Sequence, residues 1–373
     1  MREGWKYKSF EDCLVKAPKA KQVQTSEYNS GSKYPIISQE DKMVSGYCDD
    51  YSLLFHIDNP VVIFGDHTRV LKYVDFDFVV GADGVKILIP KDFLRAKFLF
   101  YYLQWYKVPS LGYSRHYKLL KDITLPIPPL AEQERIIAEL DLLSSIIEKK
   151  KAQLKELDQL AQSIFYTMFG DPITNEKGWQ VKKLVDATTK MGSGATPKGG
   201  NQSYKNEGIS LIRSLNVHNG SFKYEDLAHI DEQQAHQLNN VIVEEDDVLF
   251  NITGASVARC CIVPSDVLPA RVNQHVSILR PKKEIVNYVY LCYYLISPNS
   301  QNELILLSKT NAATREALPK SIMEKYLVPL PPLSLQQEFA EKVEAIEKQK
   351  ALIQQSIDEV QTLFDSRMDY WFG

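Results

Sequence analysis

Two short polar turns carry side chains that are well suited to chemistry with a nucleic acid. Residues 66–69 follow the apolar segment VVIFG, and residues 251–256 follow the similar segment DVLF and lead to Arg259. Arginine pairs well with guanine and asparagine with adenine, whereas lysine and hydroxyl side chains contact phosphate. A single arginine in a loop is more often simply solvated, but the duplicated placement of these turns favours a shared role.

A second pair of polar turns lies just before two proline-rich segments. These turns hold Arg115, His116, Lys118, Asn311, Thr314 and Arg315. Arg115 and Arg315 occupy matching places beside a small hydroxyl residue, in stretches with little apolar periodicity. We therefore expect both arginines to lie in exposed loops, with phosphate contact or mixed contact favoured over pure base contact.

Residue patterns for other kinds of chemistry are absent from the sequence. It contains no G-x-x-x-x-G-K-[ST] loop, no G-x-G-x-x-G at a helix start and no histidine pair with the spacing of a metal hydrolase. The glycine-rich segment 192–200 contains Lys198 but lacks the strand and spacing of a phosphate-binding loop, so we interpret it as a flexible loop. The sequence therefore predicts a chain without a catalytic set.

The elements that must position these turns include one long segment that occurs twice. Residues 125–170 and 328–373 align without a gap at a constant shift of 203 positions. Their heptad spacing predicts two helices of about 38 residues that pair along matching seams. A proline run fixes where each helix starts, because a helix cannot extend backward through it. The seams consist of Ile136, Leu140, Leu143, Ile147, Leu154, Leu157, Ala161 and Ile164, and of Phe339, Val343, Ile346, Ile353, Ile357, Val360, Phe364 and Trp371.

The regions outside these helices also resemble each other. Each begins with a tryptophan, and the shift between the copies grows in steps from 174 at Trp5 and Trp179 to 203 at the helices. Growth in steps indicates strands of constant length that are joined by differing loops. The aromatic segments 97–104 and 287–295 have i, i+3, i+4 spacing, which favours a domain core over a base-stacking surface.

Composition excludes several classes of protein. The 373 residues are 44% hydrophobic and 24% charged, without a membrane-spanning apolar run or a secretory leader. The five cysteines form no C-x-x-C pair, which favours a reducing cytoplasm over disulfides or structural zinc. The net charge of −3 is uneven, because the helical segments carry −2 and −4 while residues 1–124 carry +3. A basic patch on the globular regions is therefore allowed, although ordinary solvated surface is the simpler explanation of the charge alone.

Several motifs together make the chain similar to the specificity (S) subunits of Type I restriction–modification systems. They are the doubled P-x-P-P-L…Q helices, G-S-G-A-T-P at 192–197, DVLFNITGASVAR at 247–259 and NQHVSILRP at 273–281. The resemblance covers nearly the whole chain, with looser counterparts in the first half at 63–69 and 79–90. The chain departs from the family pattern at Ala258, where relatives commonly have a glycine before the arginine.

The resemblance implies an α+β fold. Two target recognition domains of mixed α/β structure would be separated by two long helices that form an antiparallel coiled coil, in a pseudo-two-fold repeat. The domains would occupy residues 1–124 and 171–327, and the spacer helices residues 125–170 and 328–373. A helix of about 38 residues spans about 57 Å. A helix of that length can separate two domains that contact major-groove segments about 34 Å apart.

The resemblance also implies a function. In this family each domain recognises one half of a bipartite site in double-stranded DNA, while the helices set the spacing and dock two methyltransferase subunits. No catalysis and no cofactor are expected in this chain, since S-adenosylmethionine, ATP and Mg²⁺ would belong to partner subunits, which include restriction subunits. We expect a cytoplasmic protein without a membrane partner. The alternatives are a coiled-coil adaptor that binds only proteins, and the specificity portion of another multi-subunit restriction–methylation enzyme.

The candidate DNA contacts fall into two groups, and neither includes a catalytic or metal-ligating residue. Those in the first domain are His67, Thr68, Arg69, Arg115, His116 and Lys118. Those in the second domain are Lys198, Arg213, Asn251, Thr253, Ser256, Arg259, Asn273, Thr314 and Arg315.

Overall fold

The computed structural model describes residues 2, 4–31, 33–82, 84–112, 114–310 and 316–373. The chain divides into a first unit, residues 1–152 with 354–373, and a second unit, residues 153–353. Each unit therefore contains one globular region and a stretch of both repeated segments. The four-part division of the chain that the sequence suggests stays a prediction. No helix in the described residues is long and apolar enough to cross a membrane.

The first unit is built on two four-stranded sheets. Its elements are β1 (Lys6–Ser9), β2 (Leu14–Val15), β3 (Tyr34–Ile37), β4 (Gly46–Cys48), β5 (Leu54–Phe55), β6 (Val61–Gly65), β7 (Leu71–Val74), β8 (Phe78–Val80), β9 (Val85–Pro90), α1 (Ala96–Tyr106), α2 (Tyr117–Lys121), β10 (Thr124–Ile127) and the start of α3 (Leu130–Phe169). One sheet has the order β2-β9-β6-β7 and the other β4-β3-β8-β5, while β1 pairs with β10. The central strand β6 is rich in β-branched residues and is buried along its whole length.

The second unit also contains two four-stranded sheets. Its elements after α3 are β11 (Gln180–Lys183), α4 (Leu184–Ala187), β12 (Thr188–Ser193), β13 (Ile209–Ile212), β14 (Val217–His218), β15 (Ser221–Phe222), β16 (Ala228–Ile230), α5 (Glu232–His236), β17 (Ile242–Val243), β18 (Val248–Asn251), β19 (Cys260–Ile262), β20 (Ala270–Val272), β21 (Val276–Pro281), α6 (Tyr288–Ile296), α7 (Pro298–Thr310), α8 (Lys320–Met323), β22 (Leu327–Leu330) and the start of α9 (Leu333–Phe372). The sheets have the orders β12-β21-β18-β19 and β16-β13-β20-β17, and β11 pairs with β22.

The two units share one topology, which confirms the duplication that the sequence predicts. In both, an antiparallel sheet lies beside a mixed sheet whose single parallel pair is β3 with β8 or β13 with β20. Corresponding strands even keep their register, since Ile63 faces Lys72 in the first unit and Leu249 faces Cys261 in the second. The growing shift between the copies therefore reflects longer loops in the second unit.

The aromatic segments form helices that pack into the cores, as predicted. In α1 the buried residues include Phe98, Tyr101 and Tyr102, and α6 buries every residue after Tyr288. In the second unit Tyr290 and Tyr294 lie 1% exposed among the residues of one core cluster. These rings are therefore not available to stack on bases.

The repeated segments form helices of 40 residues each, α3 and α9. Both start directly after their proline run, where the carbonyl groups of Pro129 and Pro332 accept the first backbone hydrogen bonds. The helix α3 ends at Gly170, whose φ of +77° suits glycine and whose N–H donates to the carbonyl of Tyr166 at 2.8 Å. Proline thus explains both predicted starts, and glycine explains the end of α3.

The two helices run antiparallel where they pair within each unit. In the first unit Ile136 and Leu140 of α3 share a core cluster with Met368 and Trp371 of α9. In the second unit Asp158 forms an ion pair with Lys350 at 2.7 Å. Further along α3 in the second unit, Phe165 contacts the ring of Phe339. The residue numbers of the partners on α9 therefore fall as those on α3 rise, which is the pattern of antiparallel helices.

Most of the predicted seam is correct, and its end is not. None of the sixteen seam residues is exposed, but seven of them, including Leu154 and Leu157, are only half-buried. Phe165 and Phe169, which the heptad spacing does not select, are buried at 0% and 3% exposure. A straight α-helix has 3.6 residues per turn and drifts by about 20° per heptad, so a strict heptad pattern loses the buried face after several turns.

Candidate nucleic-acid interface

In the first unit, two turns that are far apart in the sequence lie side by side. The turn at 66–69 follows β6, and the segment 114–116 precedes α2. The N–H of His116 donates to the carbonyl of Asp66 at 2.8 Å, and the N–H of Tyr117 donates to the Asp66 carboxylate at the same distance. The two groups of candidate residues in this unit therefore form one surface.

The second unit repeats this arrangement. The turn after β18 meets the segment before α8, since the N–H of Leu318 donates to the carbonyl of Ile252 at 2.8 Å and the N–H of Gly254 donates to the carbonyl of Glu316 at 2.9 Å. The candidate residues Thr314 and Arg315 lie outside the described residues, directly before this segment. Their contact with DNA stays a prediction.

Four candidates of the first unit lie on or beside the surface that the turn at 66–69 and the segment 114–116 form. Arg115 and Lys118 are exposed. Arg69 is exposed at a φ of +64°, and its guanidinium donates to the carbonyl of Val108 at 3.1 Å. The hydroxyl of Thr68 donates to the carbonyl of Gln39 at 2.6 Å. Arg115 and Lys118 are therefore the candidates whose cationic ends are best placed to meet a partner.

The remaining two candidates of this unit, both histidines, differ in burial. His67 is half-buried, and its N–H donates to the side chain of Gln39 at 3.2 Å. His116 is only 1% exposed; its Nε2 accepts from the N–H of Leu111 at 3.0 Å, so its Nδ1–H donates to the carbonyl of Asp66 at 2.9 Å. The ring of His116 is therefore buried and joins two loops, and its contact with DNA stays a prediction.

Three candidates of the second unit are likewise structural. Asn251 and Asn273 are 0% and 4% exposed. The Asn273 side chain accepts from the N–H of His275 at 3.0 Å. Arg213 is half-buried over the ring of Tyr204 and donates to the carbonyl of Asp226. Asn251 and Asn273 thus help to hold the turns from inside the domain, while the contact of all three residues with DNA stays a prediction.

A polar network with one exposed member, Gln274, connects three loops of the second unit. The Thr253 hydroxyl and His275 Nδ1 are 2.6 Å apart, and Gln274 Nε2 lies 3.2 Å from His275 Nε2. The hydroxyl of Thr196 donates to Gln274 Oε1. Sequence reasoning selected only Thr253 of these four residues, although the other three lie inside the motifs at 192–197 and 273–281. A glutamine amide held on a surface in this way suits the edge of adenine.

The glycine-rich segment 192–200 is more constrained than a flexible loop. Gly192 and Ser193 belong to β12, and the N–H of Gly194 donates to the carbonyl of Asn273 at 3.1 Å. A Cβ at Gly194 would lie 1.9 Å from the carbonyl oxygen of Val272, so only glycine fits there. The flexible interpretation is therefore wrong for this part of the segment, and Lys198 is exposed in the loop that follows it.

The turn after β18 ends in an unusual backbone conformation. Ala258 has a φ of +66° in a fully buried position, a region where glycine is favoured. The N–H of Arg259 then donates to the carbonyl of Ser256 at 3.2 Å, and both residues are half-buried. The conformation explains why a glycine suits this position, and the chain keeps the same turn with alanine.

The side chains at these surfaces supply hydrogen-bond donors, acceptors and cations, which suit recognition of a polar, anionic partner. Among the described residues, no group of three or more His, Cys, Asp and Glu side chains could hold a metal ion. The arrangement of turns at the strand ends of a rigid pair of sheets is typical of a binding surface.

Comparison with known proteins identifies the family. The chain is 26% identical over 252 residues to the specificity subunit of the Type I restriction enzyme EcoBI from Escherichia coli, a match that covers 61% of this chain and 52% of that protein. It is 25% identical to the specificity subunit of the enzyme MjaIX from Methanocaldococcus jannaschii, over 70% of this chain and 65% of that protein. These matches span only about half to two thirds of the relatives' length.

The fold comparison covers nearly the whole chain. The crystal structure of a Type I restriction–modification S subunit from M. genitalium superimposes with a TM-score of 0.59 at 14% identity, covering 98% of this chain and 95% of that chain. The family model for the Type I restriction modification DNA specificity domain matches residues 2–159 and again residues 176–362. The predicted fold class is confirmed, and the chain belongs to the Type I restriction modification DNA specificity domain family.

Proposed function

We propose that this chain is the DNA-recognition subunit of a Type I restriction–modification complex and that each unit recognises one half of a bipartite site. The observation that carries the proposal is the repeated pair of turns: in each unit the turn after a central strand, β6 or β18, is hydrogen-bonded to the segment before the proline run. A duplicated scaffold with different side chains on the same two turns suits two half-sites of different sequence.

The helices α3 and α9 would set the spacing of the half-sites and dock two methyltransferase subunits. Their paired faces are apolar, while their outer faces are polar and carry the acidic excess of the sequence. Restriction subunits would join the same assembly. This part of the proposal rests on the family to which the chain belongs and on its two-fold repeat.

The chemistry of modification and cleavage would reside in the partner subunits. S-adenosylmethionine, ATP and Mg²⁺ are expected to bind there, as the family to which the chain belongs implies. The chain itself would contribute binding energy and sequence selectivity.

Binding measurements with DNA test the proposal. Methylation sequencing of the host genome would first identify the recognised bipartite sequence. The full chain, purified together with its methyltransferase partner, would then be titrated with that duplex and with duplexes in which one half-site is scrambled. We expect the cognate duplex to bind at least about a thousandfold more tightly than random DNA, and each scrambled half to weaken binding.

The same titration separates the alternative, an adaptor that binds only proteins. An adaptor would join the methyltransferase subunit but leave the affinity of the complex for the two kinds of duplex equal at every salt concentration. Equal affinities would overturn the proposed function.

A further inference from the structure

A short hairpin of the second unit places two basic residues next to Arg259. The hairpin consists of β14 and β15, in which His218 pairs with Ser221, and Lys223 follows it directly. The N–H of Gly220, at the hairpin tip, donates to the carbonyl of Cys260 at 2.9 Å. The positive charges of Arg259 and Lys223 both act on the ring of His218. The hydrogen bond from Gly220 thus holds the hairpin against the segment that carries Arg259, and we treat His218, Lys223 and Arg259 as one basic cluster.

Buried Asn251 fixes the hairpin relative to Arg259. Its backbone N–H donates to the carbonyl of Arg259 at 2.8 Å and its carbonyl accepts from the N–H of Ala258 at 2.9 Å. Its side-chain amide donates to the carbonyls of Ser214 at 2.9 Å and Val217 at 3.4 Å. One residue thus binds the turn that carries Arg259 and the strand that carries His218.

A second set of hydrogen bonds holds the hairpin tip. The amides of Asn219 and Gln301 exchange two hydrogen bonds of 3.0 and 2.8 Å. The Gln301 amide also donates to the carbonyl of Ala258 at 3.0 Å. The hairpin therefore cannot move away from Arg259 without breaking these bonds, so the cluster is held in place before any partner binds.

Lys223 and Arg259 differ in their side-chain partners from Arg271 and Arg280 of the same unit. Arg280 forms an ion pair with the buried carboxylate of Asp247 at 2.7 Å, and Arg271 donates to Asn239 and to backbone carbonyls. In the part of the chain that the structure describes, neither Lys223 nor Arg259 has a carboxylate partner or a side-chain hydrogen bond. Like charges held together without a counterion favour the binding of an anion.

We propose that His218, Lys223 and Arg259 bind a phosphate group of the DNA backbone. The inference rests on the proposed function, since it assigns one contact of the second unit with DNA. The cluster lies at one end of the turn after β18, and the network of Thr253, Gln274 and His275 lies at the start of the same turn. The amide network suits base edges, whereas the cations suit phosphate. The turn would thus contact bases at its start and the backbone at its end.

The pKa of His218 agrees with this assignment. Burial lowers it below the ordinary value of 6.5, and the charges of Arg259 and Lys223 lower it further. Among the groups on neighbouring elements, Cys261 on β19 is held neutral, because burial raises its pKa. A phosphate beside His218 would raise this pKa, so DNA binding would take up a proton and affinity would rise as pH falls below neutrality.

Salt dependence of DNA binding tests the cluster. In the full chain with its methyltransferase partner, Lys223→Gln and Arg259→Gln should each make the negative slope of log affinity against log salt shallower by about 0.9, which corresponds to about fivefold weaker binding at 0.15 M salt. The loss should be equal for cognate and scrambled duplexes. Lys183→Gln is the matched control, since Lys183 is also exposed in the second unit but lies on β11.

Two further arms separate the outcomes. The wild type should bind more tightly at pH 5.5 than at pH 7.5, and His218→Asn should remove most of this gain. If Lys223→Gln and Arg259→Gln behave like Lys183→Gln while the wild type still discriminates its site, the phosphate assignment is overturned and the proposed function stands. If inorganic phosphate at millimolar concentration binds the cluster but the three variants leave DNA affinity unchanged, the cluster is an anion site without a role in DNA binding, and the assignment also fails.

Discussion

Gln133 and Gln336 make the same three hydrogen bonds in the two units, 203 positions apart in the sequence. Each side chain is fully buried. Each Oε1 accepts a backbone N–H at 2.8 Å, from Arg95 or Asn287, at the start of the aromatic helix α1 or α6. Each Nε2 donates to two carbonyl groups. One is that of Pro128 or Pro331 in the proline run, and the other is that of Phe93 or Ile285, just before the aromatic helix. One glutamine therefore joins the aromatic helix to the long helix in both copies.

Replacing Gln133 by leucine should destabilise the first unit by about 2–4 kcal/mol. The substitution leaves an N–H group and two carbonyl groups without partners in a buried site, and each such group costs about 1–3 kcal/mol, partly relieved by relaxation. Gln159→Leu is the control, because Gln159 is exposed on the same helix and should change the stability by less than about 0.5 kcal/mol. Chemical denaturation measures both. Equal stabilities of the two variants would show that the buried amide is dispensable.

Ala258→Gly should leave stability within about 1 kcal/mol of the wild type. Glycine removes the strain of an alanine at positive φ, about 1–2 kcal/mol, and this gain offsets the lost methyl burial and the greater freedom of the unfolded chain. The control is Ala270→Gly in β20, where alanine is also fully buried but lies in an extended strand. It should cost about 1–2 kcal/mol. If both variants lose the same free energy of unfolding, strain at Ala258 is not the reason glycine suits that turn.

Phe339→Ala should cost the second unit about 3–5 kcal/mol, because it removes a buried aromatic side chain. The Phe339 ring is 0% exposed and packs edge-on against Phe165, Phe169 and Tyr293 at centroid distances of 5.2–5.6 Å. Leu352→Ala on the same helix, at 68% exposure, should change little. Hydrogen exchange of the α6 amides would report the loosened core. Unchanged exchange in Phe339→Ala would contradict the pairing of α3 and α9 in this unit.

Glu139→Gln should weaken the pairing of the helices in the first unit only above acidic pH. The hydrogen bond from Arg367 lowers the pKa of Glu139 below its ordinary value of 4.5, and a hydrogen bond from Trp371 Nε1 at 3.1 Å contributes. A carboxyl group with a lowered pKa stabilises the folded state above the unfolded pKa, and this contribution is lost as pH falls through the folded pKa. The pair is partly solvated, so we expect about 1 kcal/mol at pH 7.

Stability measured from pH 7 to pH 3 checks the sign. The difference between wild type and Glu139→Gln should shrink below the ordinary pKa of 4.5. Glu148→Gln, which removes an exposed carboxylate paired with Lys151 on the same helix, should show no such trend. A constant difference across the whole range would mean that Glu139 acts through packing and not through its charge.

The sequence was most informative about the elements that apolar spacing and backbone chemistry decide. Proline determines where α3 and α9 start, glycine determines where α3 ends, and the heptad rhythm selects their buried faces as far as Ala161. The rhythm fails at Phe165 and Phe169, because a seam with a period of 3.5 drifts off the face of a helix with 3.6 residues per turn. The strand order of the sheets could not be predicted from the sequence, since it depends on contacts between segments that are far apart in the sequence.

The candidate site shows the limits of judging residues by type alone. Asn251 and His116 have side chains suited to DNA, yet both are buried and hold the turns together. His218, Lys223, Gln274 and His275 were missed, because only the folded loops bring them beside Arg259 or Thr253. Sequence located the turns correctly and could not say which side of each turn faces outward.

The most direct test of the account exchanges one recognition region and sequences the methylome. In this experiment residues 171–327 are replaced by the corresponding region of a family member with a different known site, and the hybrid is expressed with the methyltransferase subunit of this system. Because each unit is a separate copy of the same fold with its own pair of turns, we predict that one half of the methylated bipartite sequence changes and that the other half stays the same. If both halves change together, or if the sequence does not change in a folded and active hybrid, the claim that each unit recognises its own half-site is contradicted.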